Sequence, residues 1–240
     1  MERLNKFLAN AGVCSRRKAD EHILAGDVSV NGVKIVELGF KIDPTKDKVE
    51  FQDKAVKLIS DFVYYVLNKP KGVVSTASDE NGQKTVIDFV PKVPRVYPVG
   101  RLDKDTVGLI ILTNDGELTK ELTHPSFEHQ KSYTAVAKGS KFKVESDFET
   151  VIKKFKRGML IDGKLMKVDS ISVETSNPKH STFNLDLVLH TGHNRQIRKM
   201  CAKMGLEVTR LTRVGFAKLR LDQLNLKPGE YKKINKSEIV

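Results

Sequence analysis

The sequence predicts an α+β fold, with a small N-terminal module of residues 1–60 followed by a larger domain of residues 61–240, and three observations carry that prediction. Leu109, Ile110, Ile111 and Leu112 form a continuous apolar run between Gly108 and Asn114-Asp115-Gly116, the pattern of a strand covered on both faces. Phe183, Leu185, Leu187 and Leu189 alternate with more polar residues, as a strand with one covered face requires. Phe148, Val151, Ile152 and Phe155 recur at helical spacing between such strands.

In the first module Leu4, Phe7 and Leu8 share one face of a short helix with Gly12 as its stop, and Ser15 offers an N-cap to a second helix ending near Gly26. Val28 to Ile35 alternates around Asn31-Gly32, a strong hairpin signal. Arg16, Arg17 and Lys18 put three cations at the start of the second helix, where they oppose its dipole. A solvated basic face and a phosphate-binding face account for that placement equally well. Residues 53–61 are expected to be a linker.

Bulk composition narrows the classes. A formal charge of +12 favours polyanionic partners, provided the cations cluster. With 39% hydrophobic residues and no apolar run of membrane-spanning length, the chain reads as globular and no membrane partner is expected. The N-terminal residues lack the apolar core and cleavage site of a signal peptide, so a cytoplasmic location is expected. Cys14 and Cys201 stand far apart without spaced His or Cys companions, which predicts reduced packing cysteines and no metal site.

The larger domain is expected to open on a strand at Phe62 to Leu67, followed by a turn at Lys69-Pro70-Lys71-Gly72 to which no chemistry is assigned. Asp103 and Asp105 then sit on a polar turn just before the apolar run. Asp residues in such turns usually cap nearby amides. A calcium loop is excluded, because Asn114 stands where a bidentate Glu is needed and a strand follows in place of a helix. Glu117 to Leu122 reads as a short helix stopped near His124-Pro125, and Lys131-Ser132-Tyr133 opens another strand, where a Tyr is ordinarily a core residue. Ser146 and Glu149 form a capping box for a helix ending at Gly158. Residues 168–174 and 182–190 are expected to be strands.

From His190 to Arg220, eight Lys or Arg residues stand against one acid, Glu207. Asn194 is expected to be the N-cap and Gly205 the C-cap of a helix whose buried stripe is Ile197, Met200, Cys201 and Met204. Arg195, Arg198 and Lys199 fall on another face, which suits either a solvated surface or a phosphate or carboxylate partner.

These same stretches carry a family resemblance. GRLDKDTVGLIILTNDG resembles the central motif of the pseudouridine synthases, in the RsuA, RluB and RluF branch that isomerises uridine in ribosomal RNA. The resemblance implies that Asp103 is the catalytic residue and leaves Asp105 a structural role. RLNKFLANAGVCSRRKADEHILAGDVSVNG is similar to the S4 RNA-binding domain, which implies RNA contacts by Arg3, Lys6, Arg16, Arg17 and Lys18. LNKPKGVVST is similar to the family's first motif, and the KxY at Lys131 to Tyr133 implies that Tyr133 lies against the uridine. NRQIRKM resembles the late motif and implies that Arg198 pairs with Asp103, while Leu211 matches a position that packs on the target base.

The resemblance further implies substrate contacts from Arg101, Lys131 and Arg195, a mixed and largely antiparallel sheet flanked by helices, and chemistry needing no cofactor or metal. It implies ribosomal RNA as the partner, free or in an assembly intermediate, and FVYYVLNKPKGVVST with RVYPVGRLDKDT points to the large subunit. A monomer is expected. Two alternatives stay open, a synthase for small-subunit RNA and a non-catalytic RNA-binding assembly factor.

Overall fold

The computed structural model describes residues 1–78, 82–139, 145–177 and 181–240. It divides into two compact units, one of residues 1–63 with 93–95 and 114–116, the other of residues 64–92, 96–113 and 117–240.

In the first unit, helices Leu4–Asn10 and Arg16–Leu24 share a core with a four-stranded antiparallel sheet, through Leu4, Phe7, Leu8, Ala19, Ile23, Val28, Val30 and Val49. The Ser15 hydroxyl caps the second helix by accepting the Lys18 amide at 3.3 Å. Strands Val28–Val30 and Val33–Lys34 turn at Asn31 and Gly32, both at positive φ, as the Asn-Gly pair requires. The expected linker is in part a strand: Gln52 and Asp53 make a second such turn, and Lys54–Ala55 pairs back on Glu50 and Phe51. That turn lacks a glycine, so its two positive-φ residues left no mark in the sequence. Asn114 closes the unit by accepting the Val63 amide at 2.9 Å and donating to the Asp61 carbonyl at 3.2 Å.

The second unit is built on one mixed sheet with seven principal strands. They are β1 (Tyr64–Lys69), β2 (Val107–Thr113), β3 (Lys131–Lys138), β4 (Ser170–Asn177), β5 (Thr182–Leu189), β6 (Glu207–Phe216) and β7 (Tyr231–Ile234). Their order is β4-β5-β3-β6-β2-β1-β7, with Tyr97–Pro98 added to β2 and Leu219–Arg220 to β6. Every pairing is antiparallel except β6 with β2, which is parallel through Thr212 opposite Val107 and Arg213 opposite Gly108. The fold is therefore mixed and largely antiparallel, as the resemblance implies.

Strand β2 lies inside the sheet, and Leu109 to Leu112 are fully buried. Leu109 and Ile111 pack with Val66, Leu118, Leu122 and Phe216, which buries helix α1 (Gly116–Thr123) against one part of the sheet. Around β3 and β5, Ala135, Leu185, Leu187 and Leu189 pack with Val151 and Phe155 of helix α2 (Glu145–Arg157) and with Ile197, Met200 and Cys201 of helix α3 (Gln196–Lys203). Burial lifts the Cys201 thiol to about 12, so it packs as a small apolar group.

Gly108 lies at the parallel pairing of β6 with β2. Its φ is +104°, and a Cβ there would run into the carbonyl and amide of Arg213 on β6. No side chain fits where β2 leaves the polar turn.

Three local expectations change. Helix α2 begins at Glu145, which puts Ser146 inside the first turn instead of before it, with its side chain outside the described residues. Strand β6 was hidden by the cations Arg210 and Arg213, which break its apolar alternation. A hairpin of Met159–Ile161 with Lys164–Met166 turns at Asp162-Gly163, both at positive φ, a legible Asp-Gly signal that the sequence reading passed over.

Candidate active site

The polar turn between Arg101 and Thr106 is closed by its own backbone, since the Thr106 amide donates to the Asp103 carbonyl at 3.0 Å. The segment after β1 holds it from outside. The Ser75 hydroxyl donates to the Leu102 carbonyl at 2.9 Å and accepts the Leu102 amide at 3.1 Å. The Gly72 amide donates to the Lys104 carbonyl at 2.9 Å.

Lys69, at the end of β1, is fully buried beneath the turn. Its Nζ donates to the carbonyls of Thr106 at 2.8 Å, Pro70 at 3.2 Å and Lys104 at 3.3 Å. Burial pulls its ammonium down to about 8, opposed by the charges of Asp105 and Asp103. The Lys-Pro-Lys-Gly segment, expected to be a plain turn between strands, thus anchors the turn that carries the candidate acid. A lone Lys ending an aromatic and β-branched strand is the signal that could have found it.

Asp103 is partly open and lines a cavity of about 670 Å³. Leu102, Tyr133, Leu189, Ile197 and Leu211 supply apolar lining, while Arg101, Lys104, His193, Asn194 and Arg195 bring polar and cationic groups. Asp103, Tyr133, Arg101, Arg195 and Leu211 are therefore brought together on one cavity. A flat ring and a leucine beside a carboxylate make a slot for a planar, uncharged group, and the cations suit the phosphates attached to it.

The arginine beside the carboxylate is not the one expected. Arg195 Nη1 stands 3.8 Å from Asp103 Oδ2. Arg198 instead donates from Nη1 to the Val208 carbonyl at 3.0 Å and from Nη2 to the Asp105 carbonyl at 3.5 Å, with Nε buried and unpaired among the described residues. The cause lies in how α3 begins. Asn194 is not its N-cap; Arg195 is, in the left-handed conformation at φ 52° and ψ 31° without a side-chain cap bond, and the helix starts at Gln196. Arg195 thereby faces the cavity, and Arg198, three residues into the helix, meets the sheet and the backbone of the turn.

Gln196 is a residue the sequence reading missed. It is buried, accepts the His193 amide at 3.1 Å and the Thr191 hydroxyl at 3.3 Å, and donates to the Lys167 carbonyl at 2.7 Å, which fixes the loop before Arg195. Lys131 does not reach the cavity. Its Nζ donates to the His190 carbonyl at 2.7 Å, and burial, with Arg213 as the next cause, lowers its ammonium below the usual lysine range.

In the first unit, Arg3, Arg16, Arg17 and Lys18 are exposed. Arg16 donates to the Asn5 side-chain Oδ1 at 3.5 Å, and Lys6 lies 3.6 Å from Glu2, so Arg17 and Lys18 present the more open cations at that helix start.

Comparison with known proteins gives two family matches. Residues 63–203 match the family described as RNA pseudouridylate synthase, and residues 2–48 match the S4 domain. A Bacillus subtilis protein named ribosomal large subunit pseudouridine synthase B is 40% identical, over 98% of this chain and 96% of its own length. An Aquifex aeolicus protein named as an uncharacterized RNA pseudouridine synthase is 36% identical, over 99% of this chain and 92% of its own. Among solved structures, a pseudouridylate synthase superposes with a TM-score of 0.66 at 28% identity, covering 100% of this chain and 98% of that one.

Proposed function

The chain belongs to the RNA pseudouridylate synthase family, and from that premise we propose that it isomerises a uridine of large-subunit ribosomal RNA to pseudouridine, with Asp103 as the reacting carboxylate. The observation that carries this reading is the Asp103 carboxylate opening on a cavity with Tyr133 and Leu211 in its lining and Arg195 at 3.8 Å. Support for the large subunit comes from the name of the Bacillus subtilis relative and the near full-length match to it.

The isomerisation breaks the bond from base nitrogen to sugar, turns the base, and joins a base carbon to the same sugar carbon. It needs a carboxylate placed against the sugar or base in a site that holds the detached base. Tyr133 and Leu211 hold the base by stacking and packing, which also offsets the few kcal/mol needed to take the nucleotide out of its helix. Arg101 and Arg195 hold the flanking phosphates. Arg198, through the Asp105 carbonyl, and Lys131, through the His190 carbonyl, position the turn and the loop around the site.

Residues 1–60 act as the RNA-holding module, with Arg3, Lys6, Arg16, Arg17 and Lys18 on phosphates, and residues 61–240 carry the chemistry. On this reading the chain acts as a monomer on ribosomal RNA in the cytoplasm.

The test is Asp103→Asn, with pseudouridine mapped on large- and small-subunit transcripts and RNA affinity measured in parallel. Turnover should fall at least about a thousandfold with affinity retained. Wild-type turnover in the variant overturns the role of Asp103, and modification confined to the small-subunit transcript overturns the choice of substrate.

A further inference from the structure

On the hairpin of Met159–Ile161 with Lys164–Met166, Leu160 and Leu165 stand directly opposite each other. Both are open to solvent, at 65% and 61% exposure, while the adjoining Met159 and Met166 turn into the core. Two leucines paired across a ribbon form a small apolar patch, and such patches mark contact surfaces.

The neighbouring segments are rich in cations. Lys154, Lys156, Arg157, Lys164 and Lys167 are all exposed, and Lys153 is paired with Glu149 at 3.6 Å. The acid among the hairpin's residues, Asp162, is already held by Lys199 Nζ at 2.6 Å. An apolar pair beside exposed cations on the same hairpin and the helix before it fits a polyanion with accessible apolar edges.

Helix α3, which borders the cavity, carries the hairpin on its polar side chains. Lys203 Nζ donates to the Leu160 carbonyl at 2.9 Å, and the cavity residue Gln196 donates to the Lys167 carbonyl at 2.7 Å. The hairpin and the residue after it are therefore tied to the short helix whose first residue, Gln196, lines the cavity with Asp103.

We propose that this hairpin is a second RNA-contacting element of the synthase. The Leu160–Leu165 pair packs into the shallow minor groove of the RNA helix flanking the target uridine, and the surrounding cations hold its phosphates. Apolar side chains set against sugars and base edges there stabilise the gap left by an extruded nucleotide. This inference rests on the uridine-isomerase reading for the identity of the RNA.

The test compares the full chain with the pair Leu160→Ser and Leu165→Ser, on a folded large-subunit RNA transcript and on an unstructured oligouridylate. Both positions are more than half exposed, so the melting temperature should hold; the milder pair Leu160→Ala and Leu165→Ala serves if serine lowers it. Affinity for the folded transcript should fall about tenfold. Affinity for oligouridylate and the salt slope should stay unchanged, since leucines release no counterions. Equal loss on both RNAs, or loss on neither, overturns the hairpin contact whatever the turnover. A wild-type chain that converts no uridine, with the affinity difference intact, overturns the isomerase reading and leaves the hairpin contact standing.

Discussion

Lys69→Met keeps the length of the side chain beneath the turn that carries Asp103 and removes its charge and donors. The difference between 10.5 and about 8 in the lysine's titration corresponds to about 3 kcal/mol against the charged form at neutral pH, which methionine recovers. Against that gain, the Pro70 and Thr106 carbonyls lose their donor, while the Lys104 carbonyl keeps the Gly72 amide. Two orphaned buried carbonyls cost about 2–6 kcal/mol. The two effects largely cancel, so global stability should change by no more than about 3 kcal/mol, or about 10 °C in Tm.

The turn itself loses its anchors at Lys104 and Thr106, on either side of Asp105. A displacement of about 1 Å at Asp103 lowers kcat about a hundredfold.

The pH dependence has two opposite signs. The lysine titrates lower in the folded chain than in the unfolded one, so between about 8 and 10.5 the unfolded chain holds the proton and the folded chain does not. Stability from this group therefore rises with pH across that window and is constant below it. Activity runs the other way, because above about 8 a neutral amine has two N–H groups for three carbonyls and no charge facing Asp103 and Asp105. The assay is single-turnover pseudouridine formation from about pH 6 to 9, with melting curves at each pH. Wild type should show an alkaline limb near pH 8 that the methionine variant lacks. A methionine variant with wild-type kcat at neutral pH, or with the alkaline limb intact, refutes the reasoning.

Three further substitutions probe the surroundings of the same turn, with Gly32→Ala as a control in the first unit. Gly108→Ala should lower stability by about 3 kcal/mol or more, read from the urea midpoint, because the new Cβ meets the Arg213 backbone. Gly32→Ala, at φ +82° with nothing within 4 Å, should lose only the left-handed strain of about 1–2 kcal/mol, and equal losses at the two sites would sink the close-approach argument. Arg195→Gln should lower kcat about tenfold or more with Tm unchanged, since the side chain is 46% exposed and its ion pair adds little stability. Arg198→Gln should lower Tm and kcat together, because the Val208 and Asp105 carbonyls lose their donor; an Arg198 variant that loses only kcat would return it to direct contact with the reacting groups.

The parts of the fold legible in the sequence were those where one residue type dictates one conformation. The buried run of β2 and the Asn31-Gly32 turn needed no tertiary context. The turn at Gln52 and Asp53 and the strand β6 did need it. Positive φ at residues without a glycine, and a strand alternating through Arg210 and Arg213, are stabilised only by the neighbours on which they pack. At the site, the family motifs pointed to Asp103, Tyr133 and Leu211, which residue type alone left as a turn cap and core residues, and the structure puts all three on one cavity. Which arginine faces the acid was not legible. It depends on a single left-handed residue at Arg195, a conformation that sequence spacing does not encode.

That detail bears on reactivity. Three consecutive carbonyls of the turn, at Lys104, Asp105 and Thr106, accept from cations: Lys69 holds the first and third, and Arg198 the second. The donors of those cations are directed to backbone, yet their positive charge remains beneath the carboxylate. Among the described residues, the Asp103 carboxylate meets only Arg195, at 3.8 Å, beyond the range of a strong hydrogen bond. A carboxylate that accepts short charge-assisted bonds has its lone pairs occupied and must give them up before it can attack a sugar or base carbon. By gripping the turn through its carbonyls, the fold supplies an attractive field at Asp103 while leaving the oxygens free to react. An arginine bonded directly to the acid would provide the field but engage the nucleophile, and so the displacement of Arg198 to the backbone is the arrangement that the proposed chemistry favours.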